Sequence, residues 1–213
     1  MIYKKRLADF GAGVGTAGLA LALTEPSRSL VLVELDPALA ALAEENIAHN
    51  RLGLRARVVV ADLTQPVTLR AAGLAERAVD LVIMNSPFLD PARSRASPLA
   101  QRRGSHAMPE GSLALWLKAA RRCLKPGGHV AVIHRADAVQ EILAALKPGF
   151  GGVAIRPVHP RDGEAAHRLL VTAKLNGKAP ARILPGLVLH GADGRFTPQV
   201  EALHRELDAL SAA

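Results

Sequence analysis

A short apolar strand that runs straight into a glycine-rich loop and then a helix constrains this chain more than any other feature. Arg6 to Phe10 reads as the strand, "GAGVGTAG" as the loop, and a helix follows through Leu23. Glycines at such a turn let a ligand approach the backbone closely and meet the helix N-terminus. The alternation then continues. "SLVLVE" reads as a second strand, and Asp36 with Pro37 predicts a capped helix on which Leu39, Leu42, Ala43, Asn46 and Ile47 recur at helical spacing. "ARVVVAD" and "VDLVIMN" read as a third and a fourth strand. Strands alternating with helices in this way predict an α/β fold with a mostly parallel sheet.

The second half carries the same pattern after an interruption. Ser86 to Pro109 is polar, basic and loop-like, long for a connection in a compact domain. A helix is expected from about Glu110, with Leu113, Trp116, Leu117, Ala120 and Leu124 on its inner face, and "KPGG" is expected to stop it. "HVAVIH" reads as a fifth strand, and Asp137 to Leu146 as a helix that ends at "KPG". "GVAIRPV" and "HRLLVTAKL" read as two last strands of the core, joined by a loop around Arg161 to Ala166. The tail reads as a short strand, a turn at Asp193-Gly194 and a helix capped by Thr197. With 213 residues, 49% of them hydrophobic, the expectation is one domain: a core over 1–176 with a C-terminal extension over 177–213 packed on it. No apolar run reaches membrane-spanning length and no signal-peptide core opens the chain, so a cytoplasmic protein is expected.

Four acidic or amide residues fall at predicted strand ends. Gly13, Gly15 and Gly18 fit G-x-G-x-x-G, and Glu34 follows at about the distance, roughly 20 residues, expected of a ribose-binding acid. On that test alone a dinucleotide enzyme stays open. Asp9, however, sets the pattern Asp-x-Gly-x-Gly-x-Gly, in which an acid suits a cationic ligand group such as an α-amine better than a pyrophosphate. Asp62 ends the third strand, where it can accept from an adenine amino group or cap the next turn. Asn85 opens "NSPF" at the end of the fourth strand. Its side-chain oxygen and the Ser86 carbonyl are placed to accept hydrogens from a conjugated amino group, localise its lone pair and stabilise charge appearing as it attacks a methyl donor. Pro87 restrains Ser86, and Phe88 offers a ring to stack on a flat target. Read without the rest of the chain, the same tetrapeptide is only a turn.

These residues carry a family resemblance. "DFGAGVGTAGLALA", "VELDPALAALAEENIAHN", "VVVADL", "VIMNSPF", "LKPGGHVAVIHRAD" and "LPGLVLH" together make the chain similar to class I S-adenosylmethionine-dependent methyltransferases with the Asn-Pro-Pro-Tyr/Phe motif. Within them it most resembles the bacterial tRNA adenine-N6 methyltransferases. The resemblance implies a Rossmann-like, mostly parallel seven-stranded sheet with helices on both faces. It implies S-adenosyl-L-methionine as cofactor, with Asp9, Gly11, Gly13 and Gly15 around its methionine part, Glu34 on the ribose hydroxyls and Asp62 on the adenine. It assigns Asn85, Ser86, Pro87 and Phe88 to the target base. Two departures stand out: Ser86 replaces the family's usual proline, and Met1 lies directly before the first strand, where the family carries a segment that closes over the site. The second leaves a shortened chain, a late-assigned start or a degenerate member as readings.

Charge bears on the substrate. The net charge is +8, and Pro91 to Arg135 holds nine basic residues against one acid, Glu110. The basic span favours RNA, with Arg102 and Arg103 placed to hold phosphates beside a flipped adenine, and the resemblance implies that the RNA is a tRNA. A protein glutamine, whose amide nitrogen poses the same lone-pair problem, is the nearest alternative. A small-molecule N-methyltransferase and a non-catalytic cofactor- or RNA-binding protein follow. The scattered histidines show no metal-ligand spacing, so no metal is expected. Cys123, the single cysteine, reads as a buried hydrophobe.

Overall fold

The structure, a computed structural model, describes residues 5–74, 76–85 and 112–211. Ser86, Pro87, Phe88, Arg102, Arg103 and Glu110 lie outside the described residues. The strands are β1 (Arg6–Phe10), β2 (Ser29–Glu34), β3 (Ala56–Val60), β4 (Val79–Asn85), β5 (Leu124–Arg135), β6 (Phe150–Arg161), β7 (Arg168–Leu175), β8 (Arg182–Ile183) and β9 (Leu187–His190). The helices are α1 (Thr16–Leu23), α2 (Pro37–His49), α3 (Pro66–Ala71), α4 (Ser112–Cys123), α5 (Val139–Leu146) and α6 (Pro198–Ser211). All the strands join one sheet in the order β3-β2-β1-β4-β5-β7-β6-β8, with β9 also on β6. From β3 to β5 every pairing is parallel, while β7 runs antiparallel to both β5 and β6.

The sheet separates two apolar layers because successive side chains on a strand point to opposite faces. On β2, Leu30 and Leu32 pack with Leu19 and Ala22 of α1 and Ala43 and Ile47 of α2. Val31 and Val33 face the other way, into a layer with Trp116 and Leu117 of α4 and Ile142 and Leu146 of α5. Strands buried on both faces read as near-continuous apolar runs, which is why "LVLV" and "LVIM" are legible as strands. Full burial of a side chain such as Phe10 or Leu32 contributes about 1.5–3 kcal/mol.

The expected seven-stranded sheet is corrected to nine strands among the described residues. The two additions come from the tail. β8 pairs with Ala154 and Ile155, and β9 with Val158, His159 and Arg161, both parallel to β6. β6 is 12 residues long, and an uncovered edge of that length would leave a row of unpaired amides and carbonyls. The tail thus extends the sheet, and α6 reaches back to pack on α1. Thr197 does not cap that helix by its hydroxyl; the hydroxyl donates instead to the Val188 carbonyl at 2.8 Å. "KPGG" lies within β5, whose first residue, Leu124, pairs with Val79 ahead of a register shift. Among the described residues no helix is long and apolar enough to cross a membrane.

Candidate active site

The parallel register brings the predicted strand ends together. Phe10 pairs with Val33 on one side and Met84 on the other, so Gly11, Glu34 and Asn85 emerge side by side. Glu34 pairs with Val60, and its carbonyl accepts from Ala61, which places Asp62 next along the same edge. That edge, at the carboxyl ends of the strands, is where open α/β sheets bind ligands.

Asp9 is the chemically unusual member. It is 3% exposed, on β1 one residue before the strand's end. Its Oδ2 accepts from the Gly18 amide of α1 at 2.9 Å, standing in for a helix cap, because Gly15 at the N-cap position has no side chain to offer. Its Oδ1 accepts no hydrogen bond from a described residue. Burial pushes its carboxyl up to about 7; the Gly18 amide opposes the shift and the nearby Glu34 charge adds to it. A buried carboxylate with one oxygen to spare is a receptor for a cation.

The loop glycines answer to different demands. Gly11, at φ 68, has the Trp116 ring pressed against it where a Cβ would stand. Gly18 leaves room for Asp9 and Leu32: an added Cβ would lie 2.9 Å from Asp9 Oδ2 and 2.7 Å from Leu32. At Gly15, φ 88 and the side chains of Leu32 and Leu19 leave no space. Gly13 alone faces open space, at φ 57, so its backbone is free to be approached from the ligand side. Asn46 of α2 anchors the loop from behind, donating to the Val14 carbonyl at 2.9 Å.

Glu34 accepts from the amides of Gly13 (2.7 Å), Leu35 (2.8 Å) and Asp36 (3.0 Å). A carboxylate offers about four acceptor sites, so one remains while the backbone bonds fix the group over the glycine loop. Asp36 caps α2 as expected, accepting from Ala38 at 2.8 Å with Pro37 following. Asp62 is engaged locally: its Oδ1 accepts from the Thr64 amide and hydroxyl and its Oδ2 from Gln65, and the Thr64 hydroxyl chiefly holds the carboxyl below its usual range. The turn-capping use of Asp62 is thus present in the structure, with Oδ2 keeping acceptor capacity. Asn85 is exposed at the end of β4, and its side chain makes no hydrogen bond among the described residues. Ser86, Pro87 and Phe88, which complete the motif, and Arg102 and Arg103 are outside those residues.

Two residues escaped the sequence reading as parts of the site. Leu35 is 55% exposed beside Glu34, an apolar face at the mouth of the edge. The signal was there: a large apolar residue between a strand-ending acid and a capped helix has no core to enter. Trp116 was legible only as a core residue; its contact with Gly11 depends on how α4 crosses the sheet.

Residues 2–156 match the family model described as the Methyltransferase small domain. The tRNA1(Val) (adenine(37)-N6)-methyltransferase of Erwinia tasmaniensis is 28% identical over 196 residues, covering 91% of this chain and 76% of that protein. The release factor glutamine methyltransferase of Mycolicibacterium smegmatis is 32% identical over 133 residues, 60% of this chain and 45% of that one. A crystal structure of a predicted O-methyltransferase from Agrobacterium tumefaciens superposes with a TM-score of 0.78 at 31% identity, covering 95% of this chain and 89% of the other. The family match spans the glycine loop, the acids of the strand ends and Asn85 alike, and the chain belongs to the methyltransferase small domain family.

Proposed function

We propose that this methyltransferase acts on the exocyclic amino group of an adenine in RNA, with tRNA as the RNA class. The residues on the sheet edge fit S-adenosyl-L-methionine, the cofactor of the reaction. The spare Asp9 oxygen suits its ammonium, the remaining Glu34 acceptor its ribose hydroxyls, and Asp62 Oδ2 with the exposed Leu35 its adenine. Gly11, Gly13 and Gly15 permit the loop to lie against the ligand. When bound, the cofactor supplies a methyl group on a sulfonium centre, an electrophile that needs no metal activation.

The observation that carries the reading is Asn85, exposed at the strand end next to Gly11, its side chain making no hydrogen bond among the described residues. Its oxygen accepts a hydrogen from the target amine, so the nitrogen lone pair is drawn out of conjugation as it attacks. The interaction strengthens as the nitrogen becomes positive, so it acts on the transition state more than on binding. Ser86, Pro87 and Phe88 complete the grip on the base in this proposal, and Arg102 and Arg103 hold flanking phosphates. The relative that names tRNA adenine covers 91% of the chain, which supports RNA over the alternatives. The second reading, a glutamine amide in a protein, is favoured by the shorter release-factor match.

The test is transfer from labelled S-adenosylmethionine to a tRNA transcript and to protein substrates, with nucleosides identified by mass spectrometry. N6-methyladenosine made by wild type, with turnover lowered about a hundred- to a thousand-fold in Asn85→Ala at unchanged cofactor affinity, supports the reading. Label in a polypeptide glutamine and none in RNA overturns it in favour of the second.

A further inference from the structure

The tail carries charge of one sign. Between Glu164 and Asp193 the sequence has no acid, and it has Arg168, Lys174, Lys178 and Arg182. The fold gathers three of these, with His129 of β5, around one recess of about 360 Å³ at the opposite edge of the sheet from Asn85. Lys174 and His129 are partners across the β5–β7 ladder, and both are exposed. The neighbouring Ala173 and Val171 point to the other, buried face. After β7 the chain turns at Asn176, which holds φ 56, and Gly177 crosses the Gly151 backbone so closely that a Cβ on Gly177 would lie 2.6 Å from the Gly151 carbonyl oxygen. That crossing brings Lys178 and Arg182 to the same recess as Lys174. Among the described residues, none of Lys174, Lys178, Arg182 and His129 donates a side-chain hydrogen bond or pairs with an acid, and no acid lines the recess. The nearest carboxylate on β4, Asp80, is already engaged by Lys125 at 2.8 Å and by the Arg6 amide at 2.8 Å.

Like charges gathered around a concavity repel one another, and a bound anion relieves that repulsion. The geometry points to a phosphate-binding site for the backbone of the RNA substrate, apart from the site of the target base; this rests on the RNA reading above. Lysines and an arginine, on β7, on β8 and on the connection between them, give charge without a base-edge pattern, which suits phosphates that position an RNA and do not specify it. His129 lies four residues before Ile133, the partner of Asn85, so the recess is roughly 13 Å from the strand end at about 3.3 Å per residue. A single nucleotide cannot touch both. The RNA must run on past the target adenine, along the outside of β5 and β7.

The test uses the full chain and its triple variant Lys174→Ala/Lys178→Ala/Arg182→Ala, with filter binding of a tRNA transcript over a salt series and calorimetry of S-adenosylmethionine. Each phosphate that the variant no longer neutralises flattens the slope of log K against log salt by about 0.7 to 0.9, so a flattening of about two to three is expected, with cofactor affinity unchanged. Lys174→Arg/Lys178→Arg keeps the charges and should keep the wild-type slope. If the triple variant misfolds, Lys178→Glu/Arg182→Glu confines the change to two exposed residues beyond β7 and must weaken RNA binding relative to wild type. Wild type that binds RNA with a slope the variants leave unchanged overturns the site and spares the RNA reading. Wild type with no affinity for RNA even at low salt overturns both.

Discussion

If Asp9 receives the ammonium of the cofactor, as proposed, cofactor binding is a proton-coupled event. In the free protein its carboxyl titrates at about 7 because it is buried, and because Glu34 adds like charge against the pull of one amide. An ammonium seated on Oδ1 binds only the ionised form, so binding must expel the proton. Between roughly pH 5.5 and 6.5 the ionised fraction rises about eightfold, about 1.2 kcal/mol of apparent affinity at about 1.4 kcal/mol per pKa unit. The α-amine of the ligand, with an ordinary pKa near 7.7–8.0, stays protonated across that window and contributes nothing to the slope. Calorimetry in two buffers of different ionisation enthalpy should also register about half a proton released per ligand near pH 7. In Asp9→Asn the slope should vanish, and affinity above about pH 7.5 should fall by about 1.5–3 kcal/mol as the charge-assisted bond is removed. Without ligand the sign reverses. Asp9 binds its proton more tightly folded than unfolded, so its contribution to stability is full below about pH 4 and is lost as pH rises through about 7. Asp9→Asn should therefore gain melting temperature over wild type as the pH is raised from about 5 to 8. A wild-type affinity flat from about pH 5.5 to 6.5, or the same slope in Asp9→Asn, would refute the argument.

Other consequences are as direct. Glu34→Ala should weaken S-adenosylmethionine binding by about 1–3 kcal/mol, read by calorimetry, since it removes both an acceptor and the group that ties Gly13, Leu35 and Asp36 together. Gly18→Ala should lower the unfolding free energy by about 1–3 kcal/mol, because its Cβ meets Leu32 and Asp9 in a packed layer. Gly13→Ala, which meets nothing, should cost only the roughly 1 kcal/mol of a left-handed backbone, and equal denaturation midpoints for the two variants would dismiss the distinction. Cys123 is 1% exposed and its thiol is pushed up to about 11 by burial, so it should resist a thiol reagent at pH 8 until the chain unfolds.

The α/β class, the strand cores and the carboxyl-edge acids were legible in the amino-acid sequence because they depend on local chemistry. A run such as "SLVLVE" must be buried on both faces or not at all, and Asp36-Pro37 starts a helix whatever surrounds it. The glycine loop and Glu34 were readable for the same reason, as spacing along one chain segment. What the sequence left open was settled by contacts between distant segments. Seven strands were expected where the described residues form nine, because the pairing of Arg182–Ile183 and Leu187–His190 with β6 is a demand of β6's open edge and not of their own short sequences. Thr197 looked like a cap until β9 brought the Val188 carbonyl within reach of its hydroxyl. Gly11 and Gly18 looked alike in the loop, yet one yields to the Trp116 ring and the other to Asp9 and Leu32. The proton affinity of Asp9 and the cationic recess around Lys174 belong wholly to the tertiary structure. Desolvation and like-charge proximity exist only once the sheet and helices have closed around those groups.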